Sequence, residues 1–366
     1  MADKDDGIVP CPDSIAVVGG GRWARVLTEV LCDLVPPSVG ISVHSTHNAE
    51  SMSAWALARG LGERIEISST WPQFSAAGPH AVIVVNAARD HEKAAEWALS
   101  AGVPVLVEKP IALTVAGSQR LADLAHRRHA RFAAAHIFLF ARYLDRFSRL
   151  VAEAGRIRSL RVEWTDPRSE SRYGEHKRYD PSLPVFSDWL PHALSILGAL
   201  APGSPGKCEI TKFLRGGAHL ELCLGFGYVP CRIQLARNSD QRRRIVEVVA
   251  EQKVRQLDFS KEPGIITRDS MTLVGDPDWE TKRRPAASML AAFLRWAGGG
   301  EHDSRLDAEI GLRACRIIDQ AMDEYRPVLT AWLVAKLASP GPVDDDLRYA
   351  LSEMLQSSGP ISANVI

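Results

Sequence analysis

From Ser14 the chain reads SIAVVGGGRWARVLTEVLCDLV. An apolar run meets a glycine cluster, after which Ala24, Leu27, Val30, Leu31 and Leu34 recur at helical spacing, so the segment predicts strand, tight turn, helix. GISVHS alternates as a strand, AESMSAWALARGLG predicts a helix stopped by glycine, and a short strand follows at Ile65 to Ser68. HAVIVVNAA is an unbroken β-branched run of the kind that suits a parallel strand covered on both faces. Then come a helix in DHEKAAEWALSAG, a strand in VPVLVE, a helix in VAGSQRLADLAHRRH and a strand in RFAAAHIF. Strands alternating with helices predict a doubly wound, mostly parallel Rossmann sheet over residues 1–137.

Beyond residue 137 the pattern changes. After a helix in ARYLDRFSRLVAEAG, the segments RSLRVEWTDP, CEITKFLRG, HLELCLGFGYV, CRIQLAR and RIVEVVAEQKVRQLDF read as successive strands. One last strand is expected near Ile265 to Leu273, and a single helix, SDWLPHALSILGAL, interrupts the run. This predicts an α/β domain over residues 138–366 with a large, open, mostly antiparallel sheet. Its end is helical from PAASMLAAFLRWAG onward, with breaks at Gly298 to Gly300 and at Pro340 and Gly341.

Composition narrows the function classes. Lys plus Arg and Asp plus Glu each number 44 in 366 residues, so no net charge favours nucleic acid or an anionic membrane. The basic runs at His126 to Arg131 and Arg242 to Arg244 have the length of a solvated helix face or strand end. Six cysteines form no CxxC pair, no metal-site spacing is present, and they read as small buried side chains in a reducing compartment. The start MADKDDG lacks the pattern of a signal peptide, and no apolar run reaches membrane length. The expectation is a cytoplasmic enzyme acting on a small molecule.

Gly19, Gly21 and Ala24 fit GxGxxA directly between a predicted strand and helix. That spacing allows a tight turn, close approach of backbone to a pyrophosphate, and helix-on-strand packing. The second strand ends in His44, Ser45, Thr46 and His47, with no carboxylate before Glu50 to hold a ribose hydroxyl. Hydroxyls and imidazoles there, with Arg22 in the glycine turn, predict NADP over NAD, because they can bond a 2′-phosphate. In an open α/β sheet, ligands lie beyond the carboxyl ends of the strands. Asn86, Ala87 and His91 after one strand, and Glu108, Lys109 and Pro110 after the next, therefore join Trp23 as cofactor-side residues.

Together GGGRWA, VIVVNAARDHEKAAEWALSAGVPVLVEKPIAL and DWLPH resemble the glucose–fructose oxidoreductase, inositol dehydrogenase and rhizopine-catabolism family, written Gfo/Idh/MocA, over roughly residues 14–325. The resemblance implies reversible hydride transfer between a nicotinamide and a hydroxyl-bearing carbon, with the family's catalytic lysine at Lys109 and its aspartate and histidine at Asp188 and His192. Spacing agrees independently, since residues four apart share a helix face. Ser187 is expected as N-cap and Pro191 in the first turn, so that the positive helix end keeps His192 neutral for acid/base work. Asp188 would orient the imidazole or contact the substrate, and Lys109 would bond the reacting oxygen. The chain departs from the family's pattern in PSLPVFSD and at Ser195, where relatives carry glycines and a further aspartate. Arg178, Tyr179 and Phe186 instead suggest an aromatic, cationic substrate lining. Expected, then, is an NADP-dependent oxidoreductase of a sugar-like or natural-product carbonyl or alcohol, with NAD as the alternative cofactor. The alternative functions are an imine reductase and a non-catalytic NADP(H) sensor. A homodimer or homotetramer would cover the open sheet, and a helical extension beyond about residue 327 lies outside the resemblance.

Overall fold

The computed structural model describes residues 11–72, 80–172, 175–176, 179–180, 183–251, 253–280, 285–338 and 342–357. The chain forms two compact units, one of residues 1–140 with 280–312, the other of 141–279 with 313–366.

The first unit carries β1 (Ser14–Val18), α1 (Arg22–Leu34), β2 (Gly40–His44), α2 (Ala49–Ala58), β3 (Glu66–Ser68), β4 (Ala81–Val84), α3 (His91–Ser100), β5 (Val105–Glu108), α4 (Val115–Arg128) and β6 (Phe132–Ala135). The strands form a parallel sheet in the order β3-β2-β1-β4-β5-β6. Every residue of β4, β5 and β6 is buried, as the unbroken apolar runs imply for strands sandwiched by helices. Strand order reverses between β1 and β4, so the turns after those two strands face the crevice where such sheets take ligands.

The second unit carries α5 (Arg142–Ala152), β7 (Ile157–Pro167), the short pair β8 (Ser171–Arg172) and β9 (Glu175–His176), α6 (Val185–Leu200), β10 (Pro205–Leu214), β11 (His219–Phe226), β12 (Val229–Ser239), β13 (Arg243–Ala250), β14 (Lys253–Asp258), β15 (Ile265–Arg268) and β16 (Met271–Val274). Its eight-stranded sheet runs β10-β11-β12-β7-β13-β14-β15-β16, antiparallel except where β12 meets β7. The inner face, Leu160, Val162, Leu222, Ile233, Val246 and Val248, is buried, and α6 packs on it through β7, β11 and β12. The outer face is a charged ladder: Arg243 pairs with Glu163 at 3.3 Å and Lys212 with Glu221 at 3.1 Å. Such a face can stand in water, so the sheet by itself demands no second subunit to cover it.

Three expectations need correction. The last strand is a hairpin, β15 and β16, because Asp269 turns the chain with φ 54°. The basic run Arg242 to Arg244 is not one solvated patch, since strand alternation sends Arg244 inward to Asp166 while Arg243 faces Glu163. The C-terminal helices also do not all join the second unit. α7 (Pro285–Ala297) packs against α1 and the segment Ile137–Phe140 in the first unit. α8 (Ala308–Ala338) and α9 (Asp345–Ser357) follow, and the break expected at Pro340 and Gly341 lies outside the described residues.

Phe293 of α7 is fully buried. Phe293→Ala should therefore cost about 3–5 kcal/mol and speed hydrogen exchange in β1 and β4, far upstream in sequence. Unchanged exchange there would detach α7 from the first unit.

Candidate active site

In the first unit the glycine turn is built tightly on one side and open on the other. Gly19 has φ +145°, and a Cβ there would stand 2.6 Å from the Val85 carbonyl oxygen, so the turn closes against the end of β4. Gly21, by contrast, has nothing within 4 Å of where its Cβ would lie, and it is the N-cap of α1 with no side-chain cap. That combination, free N–H groups beside open space at a helix N-terminus, fits a dinucleotide's phosphates. Ala24 is fully buried, as close packing of α1 on the sheet requires.

The element Glu108-Lys109-Pro110 is fastened to that turn. Trp23, at the start of α1, donates its indole N–H to Glu108 Oε1 at 2.6 Å, and the Lys109 backbone N–H donates to Glu108 Oε2 at 3.0 Å. Glu108 is thus a buried brace, 7% exposed. The peptide between Lys109 and Pro110 is cis; Pro110, Ile111 and Ala112 are buried, and Lys109 is half-buried. His91 is also structural. It is 2% exposed, its Nδ1 lies 2.7 Å from the Pro110 carbonyl and its Nε2 lies 3.2 Å from the Asn86 carbonyl. It thereby ties the turns after β4 and β5 together, and burial depresses its basicity.

Asn86 and Ala87 sit half-buried on the same edge, and Asn86 Oδ1 is buried without a partner among the described residues. An acceptor in that condition is ready for a ligand's donor. At the end of β2, His44 is occupied, with Nδ1 2.8 Å from the Thr70 carbonyl and Nε2 2.9 Å from Ser42 Oγ. Ser45 Oγ accepts the Asn48 N–H at 3.1 Å, while Thr46 and His47 are exposed. Arg22 is the first residue of α1.

Sequence reasoning missed His136. It directly follows β6, whose Ala135 is in register with Glu108, so His136 is next in line beside Lys109. It is 1% exposed, and neither ring nitrogen has a partner among the described residues. Burial first, and the Lys109 ammonium second, depress its pKa to about 4. The only signal in the sequence was a histidine closing an apolar strand.

In the second unit, α6 begins at Val185 with Pro184 as N-cap, earlier than expected. Ser187 is therefore inside the helix and buried, not its cap, and Pro191 lies beyond the first turn. His192 becomes the eighth of sixteen residues, too deep for the terminal dipole to act on it. Twelve of those sixteen are buried, and the two ionisable side chains, Asp188 and His192, are half-buried on a shared face. The His192 ring stacks on Trp164 at 5.4 Å and 13°, and the Arg244 guanidinium lies 4.3 Å from the Trp164 ring. Asp188 Oδ2 accepts from Arg237 Nη2 at 3.0 Å, an arginine 1% exposed that sequence reasoning also passed over.

Of the expected substrate lining, Phe186 is fully buried against Tyr325, with ring centroids 5.1 Å apart, and so belongs to the core. Tyr179 is 37% exposed and lies over the Arg237 guanidinium at 4.6 Å. Arg178 lies outside the described residues. The six cysteines are thiols, not disulfides; three are buried and three half-buried, and burial pushes the Cys208 and Cys231 thiols up to about 12. Among the described residues no cluster could hold a metal ion, and no helix is long and apolar enough to cross a membrane.

A parallel sheet with a glycine turn at its switch point and a braced lysine at its carboxyl edge defines a dinucleotide-binding Rossmann domain of an oxidoreductase. Residues 14–136 match the oxidoreductase family with an NAD-binding Rossmann fold, Gfo/Idh/MocA, and this stretch is that family's NAD-binding Rossmann domain. A comparison with proteins of curated function found no match. Among solved structures, UDP-N-acetylglucosamine 3-dehydrogenase GnnA from Acidithiobacillus ferrooxidans is similar with a TM-score of 0.67 at 20% identity, over 86% of this chain and 98% of that one. A 3-ketoreductase from Actinomadura kijaniata, in complex with TDP-benzene and NADP, gives 0.65 at 17% identity over 84% and 96%. Levoglucosan dehydrogenase, in complex with NADH and L-sorbose, gives 0.68 at 14% identity over 86% and 96%. At these identities the likeness establishes the fold across both units.

Gly21→Ala fills only open space at an ordinary φ of −81°, so it should leave the melting temperature unchanged. Dinucleotide affinity, read by calorimetry, should fall about 10-fold or more; unchanged affinity would place the phosphates elsewhere. The folded state keeps His136 neutral down to about pH 4, whereas the unfolded chain takes up the proton near pH 6.5. The stability this group gives is therefore present above about pH 6.5 and lost as pH falls toward 4, by about 2–3 kcal/mol. His136→Phe should lose less unfolding free energy than the wild type between pH 7 and 4.5, by about that amount, in urea titrations.

Proposed function

We propose that the protein is an NADP-dependent oxidoreductase that interconverts an alcohol and a carbonyl on a sugar-like or natural-product metabolite. The observation that carries this reading is the Trp23 to Glu108 hydrogen bond, which fastens the strand end bearing Lys109 to the glycine turn. Gly21, the α1 N-terminus and Asn86 would hold the dinucleotide, and Arg22, Thr46 and His47 favour a 2′-phosphate over a bare ribose. When bound, the nicotinamide supplies or accepts the hydride.

Lys109 Nζ donates to the reacting oxygen and stabilises its developing negative charge. His192 takes the hydroxyl proton from that oxygen in oxidation and returns it in reduction, and Asp188 sets the orientation of the ring. Of the neighbours named above, one is a UDP-N-acetylglucosamine 3-dehydrogenase, one a 3-ketoreductase bound to TDP-benzene and NADP, and one a levoglucosan dehydrogenase bound to NADH and L-sorbose, which supports a sugar-like substrate and leaves NAD as the second choice.

The test is to incubate NADPH and the protein with nucleotide-linked keto-sugars and free keto-sugars and follow loss of reduced nicotinamide. Lys109→Ala and His192→Ala should each slow turnover about 10²-fold or more with NADPH affinity kept. Full turnover in both would overturn the assignment, and NADH binding as tight as NADPH would overturn the cofactor preference.

A further inference from the structure

We infer that Arg237 is a positioning residue of the proposed site, and that the C-terminal helix α9 is what holds it there. Arg237 lies on β12, and its guanidinium is engaged on three sides. Nη1 donates to the Leu183 carbonyl at 2.7 Å and to the Tyr349 hydroxyl at 3.2 Å, and Nη2 donates to Asp188 Oδ2 at 3.0 Å. Tyr179 and Trp189 cover its plane at 4.6 and 5.6 Å. A planar fork can meet the segment before α6, α6 itself and α9 at once, whereas a lysine ammonium is a single point.

α9 is itself fixed. Tyr349 is hydrogen-bonded to Glu353, Glu353 to the Tyr325 hydroxyl of α8, and Asp346 pairs with Arg215 at 3.1 Å. Glu353 is 2% exposed. A line of contacts therefore runs from α8 through Glu353, Tyr349 and Arg237 to Asp188, one helical turn before His192. The segment that supplies Tyr349 and Glu353 lies beyond about residue 327, outside the stretch whose sequence resembles the family.

The consequence is electrostatic as well as geometric. Among the described charged and titratable groups near Asp188 in the second unit are Arg237 on β12, and Tyr349 and Glu353 behind it on α9. Across Trp164 lie Arg244 on β13 and Asp166 on β7, with Arg242 also paired to Asp166. The Asp188 carboxylate favours a protonated His192, and the Arg237 cation opposes it. With Arg237 in place, Asp188 can position the imidazole without holding a proton on it.

The inference rests on the roles proposed above for Asp188 and His192, but its test needs no substrate. The His192 ring is titrated by NMR in the full chain without cofactor. Arg237→Met should move its midpoint up by about one pH unit, and Arg237→Lys, which keeps the charge, by less than half of that. Tyr349→Phe, which frees Arg237 from α9, should move it in the same direction by a few tenths. An Arg237→Met midpoint within about 0.2 of the wild type means a purely structural arginine and overturns the proposal; an unmoved Tyr349→Phe removes α9 from it. Should Arg237→Met fail to fold, Arg237→Gln, neutral but still a donor, gives the same reading. An unmoved midpoint in an active enzyme sinks this inference alone, and a moved one in a chain inert toward every carbonyl sinks the function alone.

Discussion

The hydrogen bond from the Trp23 indole to Glu108 is the constraint on which the first unit's chemistry depends. A carboxylate 7% exposed at the end of an apolar strand is costly unless its oxygens are satisfied, and here each oxygen has a donor, the indole on one and the Lys109 backbone N–H on the other. Satisfying Glu108 therefore fixes two things together. It sets the start of α1, where phosphates would bind, and the path of the chain at Lys109, which would face the reacting oxygen. His91 repeats the device one strand over, joining the turns after β4 and β5 through two carbonyl contacts. Residues that read as cofactor ligands, Trp23, His91 and Glu108, are the frame that holds the ligand-facing backbone in place.

The second unit solves the opposite problem. α6 is apolar on nearly every side, so it is held by burial, yet it carries an aspartate and a histidine on one face. Aromatic and cationic side chains manage this: Trp164 backs the His192 ring and Arg237 anchors Asp188. Pro191 leaves the Ser187 carbonyl without its intrahelical donor, and the Ser187 hydroxyl is likewise without a partner among the described residues. The helix thus lacks one backbone hydrogen bond beside the pair, and packing against the sheet holds it there.

What could be read from the sequence follows from the range of the interactions. Strands β1 to β6 were legible because a buried parallel strand needs an unbroken apolar run, and the glycine turn was legible because its geometry is local. That Asp188 and His192 share a helix face was legible through their spacing. The start of α6 was not, because Ser187 has the composition of a cap and only tertiary packing extends the helix back to Val185. Phe186 reads as a pocket residue until Tyr325, far along the chain, is seen against it. The return of α7 to the first unit has no local signature, since an amphipathic helix shows that it has a partner and not which one.

Buried charge was the least legible feature, for a reason visible in Arg242, Arg243 and Arg244. In sequence the three form a basic patch; on a strand they alternate, and each finds a carboxylate: Asp166 and Glu170 for Arg242, Glu163 for Arg243, Asp166 for Arg244. Arg255 with Asp269 and Arg237 with Asp188 follow the same pattern. A buried ion pair contributes little net stability against an apolar substitute, yet losing one partner is severe, so such pairs hold geometry more than they add free energy. Of these pairs, Arg237 with Asp188 alone involves the proposed catalytic helix. Its arginine comes from the sheet and its outer support from α9, so the position of one carboxylate is set by three elements that sequence order keeps apart.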